Sequence, residues 1–291
     1  MLVLVGPTAS GKSALALEIA ERMGGRILSL DSMQVYRGMD IGTAKPTAAE
    51  RERVPHSMID LVDPAEEFSV RDFQLRARDA IAASDEPMIL AGGSGLHMRA
   101  VIDPLEFLPT DDLVRAELEE APLSALVEEL LAADPAAGEC VDLANARRVI
   151  RAVEVYRLTS RTPTALADDP QRRSVSRYEP RYRCRIVGVD PGPALAERID
   201  RRLTDMLDRG FYEEVEGLSG RLGRTAAQAV GYRELAAVVS RESTLDAAID
   251  DVRRATMGLA RRQRAWFRRD PRVRWLDPLR DDVVAAVMEP A

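Results

Sequence analysis

Short apolar runs alternate with stretches of helical spacing along the first hundred residues. Leu2–Val5 is a four-residue apolar run stopped by Gly6-Pro7, the pattern of a strand buried on both faces. Over residues 13–23 the apolar positions Leu15, Ile19 and Met23 recur every fourth residue and predict a helix. Residues 26–30 predict a second strand ending at Asp31-Ser32, and residues 88–91 a third ending at Gly92-Gly93. Strands alternating with helices and ending in Gly or polar residues predict an α/β fold with a parallel sheet flanked by helices. Ligands of such sheets sit at the carboxyl ends of the strands. Residues 6–13, Asp31-Ser32 and Gly92-Gly93-Ser94 are therefore expected to share one site.

The pattern changes after Pro109. From residue 110 to about 167 it is helical and charged, with Leu113, Leu118, Leu123, Leu126 and Leu130 punctuated by Pro122 and Pro135. Residues 168–181 are polar, Arg-rich and carry two prolines, as in a loop or linker. Residues 110–181 thus read as an inserted all-helical subdomain, and residues 1–109 with 182–291 as the core domain. The core resumes with a strand at 185–189 and an amphipathic helix at 194–210 ended by Gly210. A basic helix at 246–269 and a short strand at 273–276 follow.

Composition adds three constraints. Hydrophobic residues are 46% of the 291 but aromatics only 4%, so the core is expected to be aliphatic. The formal charge of -7 speaks against a nucleic-acid protein as a whole, but RNA is bound by local basic patches. Residues 253–274 hold nine arginines against one acid, Asp270, and are either such a patch or a solvated like-charged face. Of 41 basic residues only Lys12 and Lys45 are lysines; at Lys45 chance and a specific role are equally open. Cys140 and Cys184 show no paired spacing, which fits a reducing cytosol. No run has the length of a transmembrane helix and Met1–Val5 lacks the features of a signal peptide, so a cytoplasmic protein with no membrane partner is expected. His56 has no ligand partners at metal spacing and reads as a loop-ordering residue.

Gly6-Pro-Thr8-Ala9-Ser10-Gly11-Lys12-Ser13 is a complete GxxxxGK[ST] P-loop between a predicted strand and a predicted helix. Its backbone N–H groups ring an oxyanion and the helix N-terminus adds its positive end. Lys12 supplies a cation, and the Ser13 hydroxyl can reach a bound Mg²⁺. The motif specifies phosphate binding, not what is done with the phosphate. A kinase or ATPase would also need an acid after a later strand. The third strand ends in Gly-Gly-Ser-Gly, and only Asp31 and Asp190 follow apolar strands.

Further blocks resemble one family. Asp31-Ser-Met-Gln-Val-Tyr36-Arg-Gly-Met-Asp40-Ile-Gly-Thr-Ala-Lys45-Pro46 is similar to the signature of the bacterial tRNA isopentenyltransferases, the tRNA dimethylallyltransferase family. The P-loop resembles that family's form. So do Pro55-His56 with Ile59-Asp60, Phe68-Ser-Val-Arg-Asp-Phe73, Gly92-Gly-Ser-Gly-Leu96, Arg147-Arg148 with Arg151-Ala-Val-Glu154, Gly231-Tyr-Arg-Glu234, and Ala260-Arg-Arg-Gln263 with Trp266-Phe-Arg268. The blocks keep the family's order from Gly6 to about Arg268. The chain departs from the usual pattern at Ser94 (Thr), His97 (Tyr), Ser57 (a second His), Phe68 (Tyr), Ala144-Asn145-Ala146 (Asn-Asp-Pro) and Ala265 (Thr).

The resemblance implies a P-loop NTPase-like fold and a monomer. It implies transfer of a dimethylallyl group from dimethylallyl diphosphate to the exocyclic N6 amine of adenosine at position 37 in the anticodon loop of tRNAs reading U-initial codons. Asp31, at a strand end beside the P-loop, is the expected proton acceptor, a role a carboxylate can fill for a weakly nucleophilic amine. Lys12, the loop N–H groups, Ser13 with Mg²⁺ and the Ser94 hydroxyl suit a diphosphate leaving group. Arg202 matches a diphosphate-contacting arginine of the family; by helix position alone it would read as solvated. Asp31, Ser32, Met33, Gln34, Ser94, Arg115, Arg147, Arg148, Arg151, Gln228, Gly231, Tyr232 and Arg233 match tRNA-contacting positions. Without the match, Arg147, Arg148 and Arg151 would read as a salt-bridged helix face near Glu154 and Asp142. The alternatives are a P-loop small-molecule kinase or NTPase, a prenyltransferase of free adenine nucleotides, and a non-catalytic RNA-binding module. The first leaves the Asp31 block unexplained, the second the insert and basic segment, and the third the intact P-loop.

Overall fold

The structure, a computed structural model, describes residues 1–289. Its strands are β1 (Leu2–Val5), β2 (Arg26–Ser29), β3 (His56–Ser57), β4 (Met88–Gly92), β5 (Arg185–Val189) and β6 (Val273–Leu276). They pair in parallel throughout, in the order β3-β2-β4-β1-β5-β6. Val5 lies opposite Gly92, and Ser29 opposite Ala91. The carboxyl ends of β2, β4 and β1 are therefore adjacent and level. Three loops that are far apart in sequence meet there.

The continuous apolar strands follow from burial on both faces. Val3, Val5, Leu28 and Leu90 pack on one side with Phe73, Phe211 and Tyr232. Leu2, Leu4, Ile27 and Ile89 pack on the other against Leu15 and Ile19 of the helix Lys12–Met23. That helix ends at Gly24 in the left-handed region, where its N–H closes onto Ala20 and Glu21 carbonyls. β3 is a two-residue edge strand whose His56 is held by a 2.8 Å contact between Nδ1 and the Val54 carbonyl, the ordering role expected of it.

The chain divides into two compact units, residues 1–102 with 182–291, and residues 103–181. Residues 103–109 thus group with the helical unit rather than the core to which the sequence pattern assigns them. In the second unit the helices Asp112–Glu120, Leu123–Ala133 and Ala146–Thr159 enclose Leu118, Leu126, Leu130, Val149 and Val153. Asn145 caps the last of these by accepting the Arg148 N–H at 3.3 Å, so the Ala144-Asn145-Ala146 departure retains a capping side chain. The expected linker at 168–181 is in part a helix, Pro170–Ser176. Proline is compatible with a first helical position, where no N–H bond is lost.

Candidate functional site

A cavity of about 470 Å³ opens where the ends of β1, β2 and β4 converge. Thr8, Lys12 and Ser13 enter it from the P-loop, Asp31 to Gln34 from the loop after β2, and Gly92 to Ser94 from the loop after β4. Arg202 and Leu203 come from the helix Leu195–Asp208, and Gln263 and Trp266 from the helix Leu245–Phe267.

The P-loop has the backbone its sequence demands. Gly11 lies at φ 92 and caps the helix. Gly6 sits so close to β5 that an added Cβ would fall 2.3 Å from the Val189 carbonyl oxygen. Ala9 takes φ 60, a strained value for a residue with a side chain. Arg198 braces that turn by donating Nε to the Ala9 carbonyl at 2.8 Å. Nothing in the spacing of Arg198 marks it for that role. Ser10 is fully buried and its Oγ has no hydrogen-bond partner among the described residues.

Lys12, Arg202 and Asp31 set the field of the cavity. The Lys12 ammonium donates to the Pro7 carbonyl at 3.1 Å. Its pKa is lowered to about 8, first by burial and then by Arg202, with Asp31 opposing. Burial likewise lowers the Arg202 guanidinium, and Asp31 again opposes. Two half-buried cations beside one carboxylate leave the cavity with an excess of positive charge suited to an anion.

Asp31 is fixed by its neighbours. Its Oδ1 accepts the Met33 N–H at 2.8 Å, and its own N–H donates to Ser29 Oγ at 3.2 Å. Ser29 Oγ donates to Gln34 Oε1 at 2.8 Å, and Gln34 Nε2 donates to the Thr43 and Ala44 carbonyls. Gln34 thus locks the Asp31 loop as well as lining the cavity. Behind it, Lys45 is the centre of a second lock. Its ammonium, with 0% side-chain exposure, donates to Asp40 at 2.5 Å, Asp60 at 2.6 Å and the Tyr36 carbonyl at 2.7 Å. Three acceptors match the three donors of an ammonium, which a planar guanidinium does not reproduce. The isolated lysine at this position is thereby explained.

Ser94 precedes the helix Gly95–Ile102, and its Oγ lies 2.7 Å from His97 Nδ1. The His97 ring packs edge-on against Phe73, 4.6 Å between centroids. Burial lowers its pKa to about 4, so the ring is neutral at physiological pH.

The other expected contacts separate. Gln228 lines the cavity. Tyr232 has 0% exposure, and its hydroxyl donates to Glu214 at 2.5 Å while Glu214 accepts the Asp40, Ile41 and Gly42 N–H groups. Burial, then Glu214, raises the Tyr232 pKa. Gly231 donates its N–H to Glu234, and the exposed Arg233 pairs with Glu234 at 2.6 Å. In the second unit Arg115 and Arg151 both bind the buried Glu154 at 2.6 Å. Arg147 and Arg148 are exposed. Four of the nine arginines at 253–274 are closely ion-paired, Arg253 with Asp200, Arg254 with Asp251, Arg264 with Asp190 and Arg272 with Asp270, while Arg262 lines the cavity. Asp200, Asp251 and Asp190 lie outside the segment, so a count within it misses them, whereas Asp270 is the one acid inside it. Asp190, the other acid after an apolar strand, is thus held by Arg264 at 2.6 Å and does not line the cavity.

Fold and site together define a P-loop α/β protein whose strand-end carboxylate shares a cavity with a phosphate cradle. The family model for "IPP transferase" matches residues 34–270, and the chain belongs to that family. It is 45% identical over 95% of its length to the tRNA dimethylallyltransferase of Streptomyces griseus subsp. griseus, covering 89% of that protein. It is 43% identical to that of Bifidobacterium longum, over 98% of this chain and 88% of the relative. The crystal structure of the tRNA isopentenylpyrophosphate transferase from Bacillus halodurans matches with a TM-score of 0.70 at 36% identity, covering 99% of this chain and 92% of that one.

Proposed function

We propose that this chain transfers a dimethylallyl group from dimethylallyl diphosphate to the N6 amine of the adenosine at position 37 of tRNAs reading U-initial codons. The observation that carries the reading is the placement of Asp31, Lys12, Arg202 and Ser94 around one cavity. The carbon–oxygen bond of the diphosphate ester breaks as the carbon–nitrogen bond to adenine forms. The amine proton goes to Asp31, whose Oδ1 is already held by the Met33 N–H. Lys12, Arg202 and the N–H groups at the helix start receive the departing diphosphate, where preorganised donors act on developing charge. Ile199, Leu203, Met206 and Leu259 line the same cavity and suit an apolar five-carbon group.

Mg²⁺ fits the donor set. Among the described residues no cluster of three His, Cys, Asp or Glu could hold a metal by itself. Magnesium is commonly bound by one or two protein oxygens, substrate phosphates and water. The Ser13 hydroxyl, with diphosphate oxygens, would hold it, and the ion would neutralise charge on the leaving group. The target adenine must leave its stack to enter such a cavity, which an anticodon loop permits. Arg147, Arg148, Gln228 and Arg233 are the side chains best exposed to meet RNA, and the protein works as a monomer in the cytoplasm.

Purified protein incubated with labelled dimethylallyl diphosphate, Mg²⁺ and unmodified tRNA is expected to label the tRNA. Absence of label with ATP hydrolysed instead would favour the kinase or NTPase reading and overturn this one. Asp31→Ala is expected to abolish transfer while diphosphate binding persists.

A further inference from the structure

One donor of the P-loop is already occupied by the protein. The Thr8 N–H donates to Gln263 Oε1 at 2.8 Å, across 255 residues of sequence. Gln263 stands on the helix Leu245–Phe267 and reaches into the cavity between the P-loop and the loop after β4. The fit on the far side is close. A Cβ added to Gly93 would fall 2.4 Å from Gln263 Nε2 and 3.2 Å from its Cδ. Only a residue without a side chain at position 93 lets the amide lie there.

The position of that bond along the loop matters. Pro7 has no N–H, and the Ser10 N–H is turned back onto the Pro7 carbonyl at 3.3 Å. The Ala9 N–H has no protein acceptor among the described residues, and the remaining donors for a phosphate lie toward Gly11, Lys12 and Ser13, where a helix leaves its first N–H groups unpaired. Thr8 is the donor at the strand end of the loop. A ligand with two phosphoryl groups seated on the helix end does not need it. A chain of three phosphoryl groups, extended toward the strand, would meet the Gln263 amide instead of a free N–H.

We propose that Gln263 is a specificity-determining residue, closing the strand end of the P-loop to a third phosphoryl group so that the cradle takes diphosphates in preference to triphosphates. The inference rests on the reading of this P-loop as a diphosphate cradle. It gives a physical reason why a complete phosphate-binding motif need not bind ATP. The oxygen of a neutral amide satisfies the Thr8 N–H without adding a charge that would repel the diphosphate ester. Glycine at position 93 is part of the same device.

The test is calorimetric titration of the full-length protein with inorganic diphosphate and, separately, inorganic triphosphate, each with Mg²⁺. The wild type is expected to bind diphosphate the more tightly. Gln263→Ala should narrow the ratio of the two affinities by about tenfold, through a gain for triphosphate, as one hydrogen-bonded group ceases to compete. Gly93→Ala, which displaces the amide without removing it, should narrow the ratio in the same direction and guards against a folding defect peculiar to one variant. An unchanged ratio in both folded variants overturns the role of Gln263 while leaving the diphosphate cradle intact. A wild type that binds neither inorganic diphosphate nor dimethylallyl diphosphate overturns the cradle reading itself.

Discussion

Lys12 carries the sharpest pH prediction. Its ammonium has a pKa of about 8 in the ligand-free protein, against an ordinary 10.5, because burial and Arg202 disfavour the charge more than Asp31 supports it. At pH 7 about nine-tenths of the molecules carry the charge, and at pH 9 about one-tenth do. A diphosphate that requires the charged form then loses about tenfold in affinity over those two pH units, or about 1.4 kcal/mol. The ligand's own last ionisation is near pH 6, so its charge is constant over that range. Titration calorimetry with dimethylallyl diphosphate at pH 9, in two buffers of different ionisation enthalpy, should register uptake of nearly one proton. Lys12→Met should bind weakly and with no such slope. Wild-type affinity that is flat from pH 7 to 9 would refute the assignment. The same depressed pKa acts on stability with a definite sign. Between pH 8 and 10.5 the unfolded chain holds a proton at Lys12 that the fold does not, so this group favours the fold increasingly as pH rises through that window. Below pH 8 it is a liability of at most about 3 kcal/mol, and Lys12→Met should raise the melting temperature at pH 7 without ligand.

Other outcomes follow from the contacts. Lys45→Met leaves the Asp40 and Asp60 carboxylates without their shared ammonium and should destabilise the protein by about 3–5 kcal/mol in a denaturant titration. Arg147→Ala and Arg148→Ala should weaken tRNA binding and flatten its salt dependence with unfolding unchanged, whereas Arg151→Ala should lower stability by exposing the need of Glu154 for two partners. The His97 ring, lowered to about 4 by burial, stays neutral in the fold while the unfolded chain protonates near 6.5. Stability should therefore fall as pH drops through 6.5 toward 4, and His97→Gln should reduce that dependence in thermal melts across the window. Tyr232→Phe should cost about 1–2 kcal/mol by removing the donor from Glu214, with diphosphate binding retained.

Much of the catalytic end was legible because its signals are local. A strand, a glycine-rich turn and a helix start follow one another within residues 2–23, Asp31 stands directly after an apolar run, and Ser94 follows another by two glycines. Parallel pairing of β2 with β4 and β4 with β1 then brings these ends together without further information. The expected partners that the fold uses otherwise are those whose role depends on residues distant in sequence. Tyr232 lines the cavity, but its bond to Glu214 and its edge contact with Phe211 have no local signal. The acids that pair Arg253 and Arg264, Asp200 and Asp190, come from other elements and cannot be seen within 253–274. β3, two residues long at the sheet edge, has no periodicity to detect. Gln263 and Arg198 have no motif of their own, because what they bind is backbone: the Thr8 N–H and the Ala9 carbonyl.

Those two backbone contacts bear on how one motif serves a transfer rather than a hydrolysis. A P-loop by itself is a set of donors that any polyphosphate can use. Here Arg198 holds the loop's strained turn from below and Gln263 takes the donor at its strand end. Both arise from helices after residue 190, in the same unit as the loop. The acid that faces the cradle is Asp31, fixed through Ser29 and Gln34 at the end of β2, while Asp190 at the end of β5 is tied to Arg264. The chemistry available to the bound phosphate is thus set by which strand-end carboxylate is left free. In this chain it is the one beside the cavity, the position that the proposed transfer needs for a proton acceptor.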